Sequence, residues 1–208
     1  RDFPARILDN LTETHLGDHL ELTPQDLKDK LKILVGDFSG SIMPYLYDLS
    51  LSTTNSRRSR AGNTFEALIE KFLELYGYPY EDQSSLGKSF YDDNNLGKMV
   101  DVIVPGKEAY LKNRGQCLIL TMKTTLRERW QEVVEEINRT NIPQIHVLTL
   151  DDGITSNLME QLKSYNIIIV TYDQIKNNGL KDFKNVIGFE EFFNHEIPHQ
   201  LEYWERRK

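Results

Sequence analysis

Hydrophobic and polar positions change period several times along the chain. From Thr23 the apolar residues Leu27, Leu31, Leu34 and Val35 recur at helical spacing, with Thr23 as N-cap, Pro24 at the first helical position and Gly36 as the stop. A second apolar segment, Ile42 to Leu51, predicts a helix with Pro44 in its first turn, and a short helix is expected around Ala5 to Asn10. After a polar connector, Ser52 to Ser56, a long helix is expected from about Arg57 to Tyr76. Phe65, Leu68, Ile69, Phe72, Leu73 and Leu75 form its apolar face, and Gly77 suits the left-handed turn that ends a helix. Residues 78–97, with Asp82-Gln83, Asp92-Asp93 and Asn94-Asn95, predict a long polar loop.

The middle of the chain switches to strands. An apolar run from Met99 to Val104 is interrupted by Asp101 and closed by Pro105-Gly106, and a second run, Cys117 to Met122, ends on Lys123. Trp130, Val133, Val134 and Ile137 then fall at i, i+3, i+4 and i+7, the spacing of a helix with one buried face. Gln144 to Leu150 predicts a third strand, Thr155 caps a helix reaching about Tyr165, and Asn166 to Thr171 predicts a fourth strand. Strands alternating with helices imply parallel pairing among the later strands. The expected fold is therefore α/β, a mixed central sheet flanked by helices. A small N-terminal helical subdomain is expected at 1–54, and a core with a helical tail at 55–208. Phe189, Phe192, Phe193, Leu201, Tyr203 and Trp204 would anchor that tail on its own domain or across a dimer.

Composition narrows the function classes. Hydrophobic content of 39% and charged content of 27% are ordinary for a soluble globular chain, with no apolar stretch long enough for a membrane span and no secretory signal at the start. The single cysteine, Cys117, sits in a strand pattern and excludes an intrachain disulfide or a multi-cysteine zinc site. No phosphate-binding loop or dinucleotide glycine motif is present, so a nucleotide cofactor has no support. His195-Glu196-Ile197-Pro198-His199 matches the HExxH zinc pattern, but Pro198 is expected to break the helix that the pattern requires. A net charge of −7 argues against a protein that coats DNA nonspecifically. It leaves room for a site-specific enzyme with arginine concentrated at one face. Arg57, Arg58, Arg60, Arg127 and Arg129 cluster in the sequence, although Arg57, Arg58 and Arg60 also suit a solvated helix approach.

Charges in apolar strands are costly unless paired or coordinated, so Asp101 and Lys123 require an explanation. One is a buried ion pair. The other is a metal-dependent phosphodiester site, in which carboxylates hold Mg²⁺ and lysine orients water or steadies phosphate charge.

Asp101, followed by Lys123 at the end of the next hydrophobic strand, resembles the PD-(D/E)xK nuclease signature, with Val100-Asp101 standing where Pro-Asp is usual. The position two before the lysine, normally acidic, is Thr121. In one branch of these nucleases, the SsoII/PspGI restriction endonucleases that recognise DNA beginning CC and ending GG, that acid has moved onto the following helix. The segments TMKTTLRERWQEVVEE and RAGNTFE resemble that branch. The resemblance implies a restriction-endonuclease-like fold and a Mg²⁺-dependent homodimer. Its action would be to cut double-stranded DNA at a CC…GG site before the outer C, leaving 5′ overhangs, in a prokaryotic cytoplasm. Carried over by position, it puts the active site at Asp101, Lys123, Glu136 and Glu66, with the three carboxylates on the metal. Glu132, one turn before Glu136, remains the rival for the third acid. The base-reading triplet would be Arg127, Glu128 and Arg129, while Arg57, Arg58 and Arg60 would touch the DNA backbone or the dimer partner. Phe3 stands where an aromatic residue of that branch stacks on an extruded base. A noncatalytic DNA-binding module on the same fold is the alternative.

Overall fold

The structure, a computed structural model, describes residues 3–16, 23–97, 99–126, 129–140 and 142–207. The chain divides into two compact units, Arg1–Arg60 and Ala61–Lys208. In the first, helix α1 (Phe3–Leu16) precedes the start of helix α2 (Pro24–Tyr76). Thr23 caps α2 as the sequence predicts: the Asp26 backbone N–H donates to Thr23 Oγ1 at 3.2 Å, and Asp26 Oδ2 accepts from the Thr23 N–H at 3.3 Å.

Helix α2 does not stop at Gly36, restart near Ile42, or open into a connector at 52–56; it is continuous from Pro24 to Tyr76. Burial explains the continuity through the first two of these points. Leu34 is buried and Phe38 and Ile42 are half-buried, at successive i, i+4 positions that carry one face past Gly36 and Pro44. A glycine costs a helix only about 1 kcal/mol relative to alanine. Pro44 removes the N–H that would reach the Gly40 carbonyl, a loss of about 3 kcal/mol that the continued face must offset. At the far end Gly77, with φ of 71°, turns the chain, and the Tyr78 N–H donates to the Leu73 carbonyl at 2.9 Å, closing the helix as expected.

In the second unit, six strands form one sheet among the described residues, in the order β1 (Glu81–Asp82), β2 (Val102–Val104), β3 (Leu118–Lys123), β4 (Ile145–Thr149), β5 (Ile167–Thr171) and β6 (Val186–Gly188). The first three pair antiparallel, and β3 through β6 pair parallel. Helices α3 (Gln83–Asp93), α4 (Lys107–Asn113), α5 (Trp130–Thr140) and α6 (Ser156–Ser164) complete the core. On one face Ile103, Ile119, Val147 and Ile169 pack with Phe90 of α3, Val133 of α5 and Met159 of α6. On the other, Val102, Leu120, Leu148 and Val170 pack with Phe65, Ile69 and Leu73 of α2 and with Phe192 and Ile197. Both faces of β3 are covered, which is why its sequence reads as an unbroken apolar run.

The expected loop at 78–97 is a correction. It holds β1 and α3: Asp82 is the N-cap, its Oδ1 accepting from the Ser85 N–H at 2.8 Å, the helix breaks at Gly87, where φ is 74°, and Leu86 and Phe90 on either side of the break are buried. The polar pairs lie at the two ends of that helix. Strand β6 spans three residues, too few for a periodic signal. The tail at 189–205 is helical and docks on its own domain: Phe192 is fully buried, and the Trp204 indole donates to the Gln116 carbonyl at 2.7 Å.

Leu73 has no exposed surface where α2 meets the sheet. Leu73→Ala is expected to cost about 2–5 kcal/mol, read as a lowered urea midpoint with an unchanged slope.

Candidate active site

Two neighbouring strands converge on one charged pair. Asp101 immediately precedes β2, where its backbone N–H donates to the Leu120 carbonyl at 2.9 Å, and Lys123 closes β3. Both side chains are 8% exposed, with Lys123 Nζ 3.3 Å from Asp101 Oδ2. The same oxygen accepts from the Met122 N–H at 2.6 Å and from Thr121 Oγ1 at 3.2 Å, while Oδ1 accepts from Gln83 Nε2 at 3.0 Å. Lysine Nζ also donates to the Met122 carbonyl at 3.0 Å. Four donors thus surround the Asp101 carboxylate, so the ammonium is not its sole support.

Glu66, on α2, belongs to the same electrostatic site. Burial, and then the charge of Asp101, push its carboxyl above the ordinary value, with Lys123 opposing. One turn on, Glu70 is raised by burial and then by Asp82, Glu66, Glu74 and Asp101. The site thus holds more carboxylate charge than its lysine neutralises. Glu70 escaped the sequence reading, although its i, i+4 spacing from Glu66 marks it as a neighbour. Gln83 carries no sequence signal, because it falls in the polar segment 78–97 that predicts a loop.

Glu136 is placed differently. Its carboxylate, with a side chain 5% exposed on α5, accepts from Arg139 Nη2 at 2.8 Å on each oxygen and from the Gly97 N–H at 2.5 Å. Arg139 Nη1 also donates to the Asn95 carbonyl at 2.6 Å, so the pair ties α5 to the turn leading toward Asp101. A Cβ at 97 would run into Glu136 Oε2, so any other residue there would force the carboxylate to move. Glu132 is 54% exposed, 4.0 Å from Arg129 Nε. Among the described residues, no three His, Cys, Asp or Glu side chains converge as a ready metal cage.

Arg129 is exposed after β3; Arg127, Glu128 and the Phe3 side chain lie outside the described residues. Leu126, just before them, is buried, and its N–H donates to Asp151 Oδ2 at 2.6 Å, an anchor for this loop that the sequence did not reveal. Arg57, Arg58 and Arg60 are exposed on α2 in the first unit. The HExxH residues form no metal site among the described residues: Glu196 turns to His146, with Oε1 3.6 Å from Nε2. Pro198 does not break the helix as expected; it sits at the start of the helix Ile197–Glu205, after a wide turn at Phe192–Glu196. No helix among the described residues is long and apolar enough to cross a membrane.

The chain is similar to several known restriction enzymes. The family described as EcoRII C terminal matches residues 27–193. The type II restriction enzyme SsoII of Shigella sonnei is 41% identical over 192 residues, or 92% of this chain, and the chain spans 60% of that relative's length. A solved structure of metal-depleted Ecl18kI in complex with uncleaved, modified DNA is 34% identical with a TM-score of 0.69, covering 98% of this chain and 64% of the other. A complex of restriction endonuclease PspGI with substrate DNA is similar in fold, with a TM-score of 0.63 at 19% identity over 96% of this chain and 93% of the other.

The raised Glu66 carboxyl has a consequence for stability. An acid with an elevated folded-state pKa favours the fold below its ordinary pKa, and that contribution is lost as pH rises through the folded value. Glu66→Gln should therefore raise the melting temperature at pH 7, and the gain should vanish near pH 4. A Glu66→Gln melting temperature equal to that of the wild type at pH 7 would show that Glu66 carries no such strain.

Proposed function

The chain belongs to the EcoRII C-terminal family of restriction endonucleases, of the SsoII/PspGI branch, and on that premise we propose that it cuts double-stranded DNA at a CC…GG site. The observation that carries the reading is the buried Asp101–Lys123 pair at the ends of β2 and β3, with Glu66 held beside it above its ordinary pKa. Two strands deliver an anion and a cation to one point, and a helix adds a carboxylate that resists ionising.

That donor set fits a hard divalent cation, because carboxylate oxygens are what such ions take and a bound cation would relieve the crowding of Asp101 and Glu66. We propose Mg²⁺ as that ion, held by Asp101, Glu66 and Glu136. To join the others, Glu136 must exchange its bonds to Arg139 and Gly97. When bound, the ion supplies charge to polarise the phosphate and acidify a water. Lys123, fixed by Asp101 and the Met122 carbonyl, holds its Nζ where it can orient that water and offset charge gathering on the phosphate oxygens.

Reading of the sequence falls, in this proposal, to Arg127, Glu128 and Arg129. Guanidinium groups match guanine O6 and N7 in the major groove, and a carboxylate matches cytosine N4. Arg57, Arg58 and Arg60 would contact the DNA backbone or a second copy, Phe3 would stack on an extruded base, and the N-terminal helices at 1–54 would add DNA contacts. A two-fold site calls for a homodimer, each copy cutting one strand to leave 5′ overhangs, in the cytoplasm of a prokaryotic cell.

Digestion of a sequenced plasmid with Mg²⁺ and with EDTA, followed by sequencing of the fragment ends, tests the reading. Discrete Mg²⁺-dependent cuts at CC…GG sites are expected, and an intact plasmid would overturn it. Asp101→Ala should abolish cutting while a CC…GG duplex is still shifted on a gel; undiminished cutting by this variant would remove the active-site assignment. Arg127→Ala should cost about 1–3 kcal/mol of discrimination at one base. An equal loss on all DNA sequences would make Arg127 a phosphate contact instead.

A further inference from the structure

Resting on the nuclease reading above, we propose that Gln83 is a positioning residue for the metal-binding carboxylate: its amide fixes Asp101 so that Oδ1 is presented to the cation. The two oxygens of Asp101 are treated unequally. Oδ2 accepts from the Met122 N–H at 2.6 Å, Thr121 Oγ1 at 3.2 Å and Lys123 Nζ at 3.3 Å. An oxygen surrounded by three donors has little electron density left for a cation. Oδ1 accepts from Gln83 Nε2 at 3.0 Å and, among the described residues, from no other donor. The cation therefore goes to Oδ1.

Gln83 is built to hold that oxygen. It is the first residue of α3, directly after the Asp82 N-cap, so its backbone direction is set by the cap. The same Nε2 donates to the Val100 carbonyl at 3.0 Å, and Tyr91 Oη, from the helical turn beyond the Gly87 break, donates to that carbonyl at 2.7 Å. The amide thus spans the backbone before Asp101 and the Asp101 side chain, coupling carboxylate rotation to a carbonyl held at two points. A glutamate at 83 would set a carboxylate against Asp101, so the chemistry calls for an amide. Hydrogen-bonding partners of metal-ligating carboxylates orient their ligands, and losing one weakens metal binding by roughly 10- to 100-fold. Gln83 is exposed, so its replacement leaves the core intact.

The test titrates Mn²⁺ into wild type, Gln83→Leu and Asp101→Ala, following the free Mn²⁺ signal by electron paramagnetic resonance, alongside cleavage rates over a Mg²⁺ series. Gln83→Leu should weaken Mn²⁺ binding by about tenfold or more. It should raise the half-saturating Mg²⁺ by a similar factor, with the maximal rate recovering at high Mg²⁺. Wild-type Mn²⁺ affinity in Gln83→Leu, or a lost maximal rate at unchanged affinity, would overturn the role of Gln83. Should Gln83→Leu fail to fold, Gln83→Ala is judged by the same criteria. Asp101→Ala separates the two claims. If it still binds Mn²⁺ as wild type does, the nuclease reading itself fails; if it does not bind while Gln83→Leu binds normally, only the role of Gln83 falls.

Discussion

The antiparallel pairing of β2 with β3 is the constraint on which the site depends. Its register sets Val102 opposite Leu120, so Asp101 comes opposite Thr121 and Lys123 lies two residues further along the same face. The backbone N–H of Met122 completes the support of Asp101. A slip of one residue would send either charge into the opposite apolar layer, which both faces of buried side chains forbid. The site is thus enforced by the core on each side of the sheet, and its precision comes from the same packing that stabilises the fold.

Around that pair the charges are deliberately unbalanced. Lys123 meets Asp101, but Glu66 and Glu70 add carboxylates whose pKa values rise with burial and mutual repulsion. Such an arrangement costs stability in the cation-free chain and favours whatever brings positive charge. It also bears on how a chain of net charge −7 can be proposed to act on a polyanion: a few of its acids lie where a divalent ion would answer them, and Arg57, Arg58 and Arg129 are exposed elsewhere.

Glu136 shows a residue serving two demands. Its bonds to Arg139 and to the Gly97 N–H secure the turn ahead of Asp101, and Gly97 leaves room for the carboxylate to approach. The same contacts occupy both oxygens. In the proposed enzyme, recruiting the third acid and loosening this turn are one event, which links the conformation of the segment before Asp101 to the filling of the site.

Legible from residue order alone are the elements whose signals are local: the Thr23 and Thr155 caps, the Gly77 stop, the apolar runs of β3 to β5, the parallel pairing that alternating strands and helices impose, and the Asp101–Lys123 pair, visible as charges where an apolar strand should have none. Tertiary structure decided what depends on distant partners. Gly36 and Pro44 read as stops because their local cost is plain, whereas the continuous Leu34, Phe38 and Ile42 face outweighs that cost only once it has something to pack on. Helix α3 carries little periodic signal because it breaks at Gly87, with one buried side chain on each side of the break, Leu86 and Phe90, among polar neighbours. Gln83, Asp151 and the Arg139 hold on Glu136 were hidden for a related reason: a hydrogen bond across the fold joins residues far apart in the chain, and no spacing in the sequence records which carboxylate a given donor will meet.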